Sequence, residues 1–261
     1  MNRNKRILQR KAQSKKYLEN RISFNRNAER DFDEWSANLL PKLPLKINML
    51  DLGCGTGKQI NLFSQFFSSD SKITALDKSE ESLVNLKKNY RGLPELNVRN
   101  VDFKNFSDCF KDDDGAFDLA YSFYALYYAD NLEEIVAKVY KLLKKGGIFW
   151  IVSPFVGTNK EIFRVIRRFY TLSEKVIYSI DQFYKDVISI SNKSGFKKLK
   201  VDIFKNKIIY DTRERLMEYL HSTTFYVRKY ESKLSEEIDR VFISTDDFRL
   251  TKNAISIKLE K

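Results

Sequence analysis

The chain is short of the residues that build disulfides, metal centres and membrane spans. Its two cysteines, Cys54 and Cys109, give no disulfide framework. Acidic residues are outnumbered, 35 against 47 Lys and Arg, and the cluster Asp112-Asp113-Asp114 stands beside Gly115 as a turn would. No metal is therefore expected. No apolar stretch approaches the ~18 residues that cross a bilayer, and Met1-Asn2-Arg3-Asn4-Lys5-Arg6 is not followed by the apolar region of a secretory signal. These absences make the cytoplasm the expected compartment. There is no internal repeat and no low-complexity segment.

What remains is a folded α/β composition. With 261 residues, 31% charged and 14% aromatic, the chain suits one sizeable core with an insertion rather than two enzyme domains. Its net charge of +12 is concentrated at the start. Residues 1–30 hold ten Lys or Arg against Glu19 and Glu29, an excess of eight. Such a patch attracts RNA, an anionic surface or an anionic substrate, or is simply a solvated face. Residues 3–40 contain neither proline nor glycine, so 1–44 reads as a helical cap that ends at Pro41 and Pro44.

Residues 45–261 then alternate as a doubly wound sheet does. Strands are expected near 47–52, 72–77, 97–102, 117–122 and 147–153, with helices near 57–68, 79–91 and 131–144 between them. A helix over 180–194 and strands over 198–205 and 254–259 follow. Two stretches, 156–179 and 207–250, are not needed by the sheet and are candidate lids over the substrate.

The run Met49-Leu50-Asp51-Leu52-Gly53-Cys54-Gly55-Thr56-Gly57 is a buried strand ending that passes through three alternate glycines into a helix. That order lets backbone N–H groups approach a ligand closely, and an acid about 20 residues on binds a ribose. Here the acid is Asp77, with Lys78 beside it. A pyrophosphate loop would place its third glycine one position later and carry no carboxylate nearby. Gly57 comes early, and Asp51 would repel phosphate while suiting a cofactor with an ammonium and a sulfonium. S-adenosylmethionine (SAM) is such a cofactor.

The string Leu50 to Gly57 resembles the glycine motif of class I SAM-dependent methyltransferases. The likeness extends through Asp77, Val101-Asp102-Phe103, Phe117-Asp118-Leu119-Ala120-Tyr121-Ser122 and Leu142 to Trp150, and so covers roughly residues 45–153 in the family's order. It implies a Rossmann-like, mostly parallel seven-stranded sheet with helices on both faces. It also implies a SAM contact set of Asp51, Gly53, Cys54, Gly55, Gly57, Asp77, Lys78, Asp102, Phe103, Ser122 and Tyr127. Cys54 is as readily a small packing residue. Phe32-Asp33-Glu34-Trp35 resembles a cap motif that closes over the cofactor, and also reads as an ordinary core anchor.

Methyl transfer from a sulfonium chiefly requires alignment and exclusion of water, with a general base only for a hydroxyl or a protonated amine. His221, the only histidine, is a candidate base or substrate contact, and equally a surface residue. Tyr124 is the candidate from the tyrosine-rich stretch after the fourth strand, against ordinary aromatic packing. The expected activity is methylation of an oxygen or nitrogen of a small metabolite. The arginines of 160–168 suit an acceptor with carboxylate or phosphate. An RNA methyltransferase using the basic N-terminus is the alternative, and is not favoured because no RNA-binding module is recognisable. A non-enzymatic SAM sensor would be expected to have a degenerate loop, and this one is intact.

Overall fold

In a computed structural model of the protein, residues 27–110 and 113–261 are described. The expected helices before residue 27, and nine of the ten basic residues of 1–30, lie outside them. A seven-stranded sheet has the order β3-β2-β1-β4-β5-β9-β6. Its strands are β1 (Asn48–Leu52), β2 (Lys72–Asp77), β3 (Glu95–Asn100), β4 (Phe117–Phe123), β5 (Leu143–Pro154), β6 (Lys197–Phe204) and β9 (Ala254–Glu260). β1 to β5 are parallel, and β9 runs antiparallel between β5 and β6. Such sheets are buried on both faces, and β1 and β2 are accordingly buried along nearly their whole length.

Alternate residues supply the two faces. Leu50, Leu52, Ala120, Phe149 and Ile257 face α4 (Leu132–Leu142) and α7 (Phe183–Lys193). Met49, Ile73, Ala75, Tyr121 and Trp150 face α2 (Lys58–Ser64) and α3 (Glu80–Asn89). On this second side, Phe32 and Trp35 of α1 (Phe32–Asn38) pack against Phe204 with ring centroids 5.6 and 4.8 Å apart. Asp31 caps α1 by accepting from the amides of Asp33 and Glu34.

Two boundaries differ from expectation. β3 ends at Asn100, opposite Asp77, so Asp102 lies beyond the strand and caps a single 3₁₀ turn, its carboxylate accepting from Lys104 N. The helix expected over 180–194 is two helices, α6 (Glu174–Asp181) and α7, broken at Gln182.

The segments left over by the sheet share an apolar cluster of their own. It is formed by α5 (Lys160–Ile166), α6, α8 (Arg213–Ser222), α9 (Glu231–Ser244) and a two-stranded antiparallel sheet of β7 (Lys207–Tyr210) and β8 (Phe248–Thr251). Ala28 bridges to Ile208 and so ties the chain before α1 to this sheet. No described helix is long and apolar enough to cross a membrane.

Candidate active site

The glycine turn is pinned to the end of β2. The amides of Gly53 and Cys54 both donate to Leu76 O, at 2.8 and 2.9 Å. Gly53 and Gly57 sit at φ +82°. A Cβ on Gly53 would stand 2.2 Å from the Cβ of Ala125, and one on Gly57 2.2 Å from Cδ1 of Leu86, so both conformation and space demand glycine. Asp77 closes the turn from the side. Its Oδ2 accepts from Gly55 N and its Oδ1 from Ser79 N, each at 2.8 Å.

The electrostatics are acidic. Burial raises the Asp77 pKa, against the opposing effect of the Ser79 and Gly55 amides. Burial raises Asp51 well above the usual carboxylate range, with the Tyr121 hydroxyl opposing and the Asp77 charge adding. The Cys54 thiol is pushed up by burial and by both carboxylates, which removes nucleophilic character and leaves a small packing group. A pyrophosphate would meet the Asp77 carboxylate here, with Asp51 buried beneath the turn, whereas the ribose hydroxyls of a nucleoside can donate to Asp77. Among the described residues no group of three or more His, Cys, Asp or Glu could hold a metal ion.

A family model for a methyltransferase domain matches residues 50–149, the span from the glycine turn to the fifth strand. The chain is a class I SAM-dependent methyltransferase.

Similarity to this methyltransferase extends over most of its length in protein 235L of Invertebrate iridescent virus 6, which is named as a methyltransferase. The two are 25% identical over 86% of this chain and 82% of the viral one. A trans-aconitate 2-methyltransferase of Deinococcus radiodurans is 31% identical over 44% of this chain and 41% of its own. The same fold occurs in a solved structure from Bacillus halodurans at TM-score 0.60 and 17% identity, covering 88% of this chain and 99% of that one.

A cleft of about 460 Å³ runs from the glycine turn of the methyltransferase to the helical segments outside the sheet. Gly53, Cys54, Gly55, Asp77, Lys78, Phe103, Tyr124 and Tyr127 all line it. Asp51, Gly57, Asp102 and Ser122 do not. Asp51 is 2% exposed beneath the turn, and Gly57 caps α2. Ser122 is buried and donates to Leu52 O at 2.7 Å, so it fastens β4 to β1 rather than facing the cofactor. Asp51 and Ser122 thus support the strand ends behind the turn, and Asp102 caps the 3₁₀ turn after β3. SAM fits the residues present: Asp77 would hold the ribose, and the backbone of Gly53 to Gly55 would lie against the cofactor.

Two candidates for the acceptor end part company. Tyr124 lines the cleft at φ +55°, a left-handed conformation held by its N–H to Val152 O at 2.8 Å. The residue is 39% exposed, and desolvation by the protein around it raises its hydroxyl above the ordinary phenol value. His221 is on the other side of its helix. It pairs with Glu231 of α9 at 3.0 Å, packs on Tyr226, and is not among the residues lining the cleft.

The cleft also holds residues that the sequence alone did not single out, among them Asn159, Tyr219, Thr223 and Lys252. One signal was available for Lys252. Because β9 runs antiparallel to its neighbours, its N-terminal end lies at the carboxyl edge of the parallel strands, where ligands bind.

Proposed function

We propose that this methyltransferase acts on a small metabolite, at an oxygen or nitrogen nucleophile. The observation that carries the reading is the cleft itself, one cavity shared by the cofactor turn and the helical segments, of the size typical of small-molecule sites. A relative named for methylation of trans-aconitate supports the same class of acceptor.

When bound, SAM supplies a methyl group already activated on a sulfonium, so the chain's own work is alignment and exclusion of water. Phe32 and Phe123 flank Tyr124 on the α1 side, while Phe163 and Phe225, 5.0 Å apart, close the helical side. The Tyr124 hydroxyl keeps its proton at neutral pH and serves as a hydrogen-bond partner that orients the nucleophile, not as a phenolate base. The proton of a hydroxyl or ammonium acceptor then leaves to solvent or to a group on the acceptor.

The test is transfer from methyl-labelled SAM into a cell extract separated into RNA, protein and small molecules, with Asp77→Ala as control. Label in the small-molecule pool that disappears with the variant is expected. Label confined to RNA would overturn the reading and turn attention to the basic residues 1–26.

A further inference from the structure

One wall of the cleft carries a polar cluster that cofactor binding does not use. Asn159 stands at the start of α5, Tyr219 on α8, Lys252 and Asn253 on the turn before β9, and Arg30 before α1. These positions are far apart in sequence and meet at the carboxyl edge of the sheet.

The cluster is assembled by specific bonds. Lys252 Nζ donates to the Tyr219 hydroxyl at 2.6 Å, and that hydroxyl donates to Asn159 Oδ1 at 2.9 Å. The lysine also lies over the Tyr219 ring, 4.7 Å from its centroid. With Oδ1 accepting from Tyr219, the Asn159 amide keeps its Nδ2 donor for the cleft that the residue lines. Its backbone is held at φ +58° by a 2.7 Å bond from its N–H to Thr251 O. An amide donor is thus fixed beside an ammonium, in a residue whose short polar side chain tolerates the left-handed region.

Arg30 adds a second cation at the mouth. It is oriented by a bond to Lys205 O at 3.2 Å and by stacking on Phe204, 4.8 Å from the ring centroid, and no described carboxylate pairs with it. Asn206 locks this arm in place, accepting from Arg30 N and donating to Arg30 O. The neighbouring surface of the cleft is apolar, formed by Phe163, Val176, Ile180 and Phe225. Donors and positive charge on one side with apolar surface beside them describe a complement to an amphipathic anion.

We propose that Asn159, Lys252 and Arg30 form the acceptor's anion subsite, taking a carboxylate or phosphate group while its apolar body lies on Phe163, Val176 and Phe225. The inference rests on the small-molecule reading above and adds to it a charge and a shape. β5 alone separates the end of β4, where Tyr124 sits, from the start of β9, where Lys252 sits. Two strand spacings are roughly 10 Å. The anionic group therefore stands several bonds from the reacting atom.

The experiment fractionates a small-molecule extract on an anion exchanger at neutral pH before it meets the enzyme and methyl-labelled SAM. Acceptor activity retained on the resin and eluted by salt is expected, and half or more in the flow-through overturns the inference. Phosphatase treatment of the retained fraction separates the two sources, since only a phosphate acceptor loses its activity. With that fraction as substrate, Lys252→Gln and Asn159→Asp should each raise the acceptor KM at least tenfold while leaving S-adenosylhomocysteine affinity within twofold. An unchanged KM in both variants overturns the subsite even if the acceptor is anionic. Label confined to RNA overturns the small-molecule reading and this inference with it, whereas a labelled neutral metabolite overturns this inference alone.

Discussion

Asp77 is held by burial at a pKa above its ordinary 3.8, and this has a definite sign for stability. In the folded chain without cofactor it binds a proton at pH values where the unfolded chain has lost it. Stability from this group is fully present below the ordinary value and is lost as pH rises through the raised one. Ribose hydroxyls donate to the carboxylate, so S-adenosylhomocysteine favours the ionised form and its affinity rises with pH through the same window. Thermal melts at a series of pH values rising from the ordinary 3.8 should show the cofactor's increment in Tm growing with pH. In Asp77→Asn the increment should be small and flat, and a wild-type increment that is independent of pH would sink the linkage. Tyr124 permits a cleaner kinetic separation. Tyr124→Phe keeps the ring and removes the hydroxyl, so kcat/KM for the acceptor should fall roughly 10- to 100-fold, the scale of one hydrogen bond in the transition state. S-adenosylhomocysteine binding by calorimetry should stay unchanged, and a parallel loss there would assign Tyr124 to the cofactor instead. Gly53, Gly55 and Asp77 were legible in the sequence because the backbone and a buried carboxylate restrict residue choice at those positions. His221 drew notice for its chemistry alone. Two residues along a helix is about 200° of rotation, so once Tyr219 and Thr223 face the cleft, His221 faces away.

The seven strands of the sheet were readable because parallel strands buried on both faces are apolar runs punctuated by turns. The pair β7 and β8 was not. Each is four residues long, and two helices, α8 and α9, separate them, so neither periodicity nor a hairpin turn marks their pairing. What holds the element is also non-local. Glu161 of α5 accepts from Thr251 N at 2.9 Å and from Thr251 Oγ1 at 2.6 Å, joining α5 to the end of β8. Both bonds are charge-assisted, and removing their acceptor leaves a partly buried amide and hydroxyl without a partner. Glu161→Ala should therefore cost roughly 1.5–3 kcal/mol in urea unfolding. Because Thr251 precedes Lys252 and its carbonyl anchors Asn159, the same variant should weaken acceptor use more than cofactor binding. Equal loss of both would mean that Glu161 supports the fold at large rather than this wall.

At the scale of the molecule there are two apolar bodies, the sheet with its helices and the helical cluster around β7 and β8, with the cleft lined from both. The glycine turn and Asp77, the proposed cofactor contacts, belong to the sheet body, whereas Asn159, Tyr219 and Thr223 come from the other. The expectation for hydrogen exchange is then ordered. S-adenosylhomocysteine alone should slow the amides of the glycine turn and the first turn of α2, leaving α8 and α9 near their unliganded rates. Adding the acceptor-active fraction should slow α8 and the start of α5 as well, because only then is there a ligand that touches both bodies. A ligand at about 100 times its Kd adds roughly 2.7 kcal/mol to the opening it blocks, about a hundredfold in exchange rate. If S-adenosylhomocysteine by itself slowed α9 and β1 by the same factor, the two bodies would open as one, and the helical cluster would be part of the cofactor domain rather than a separately moving cover. Separate opening has a chemical use. With separate opening, an acceptor would enter and its methylated product leave while the nucleoside stayed at Asp77, and closure over the acceptor would exclude water from the sulfonium only when both substrates were present.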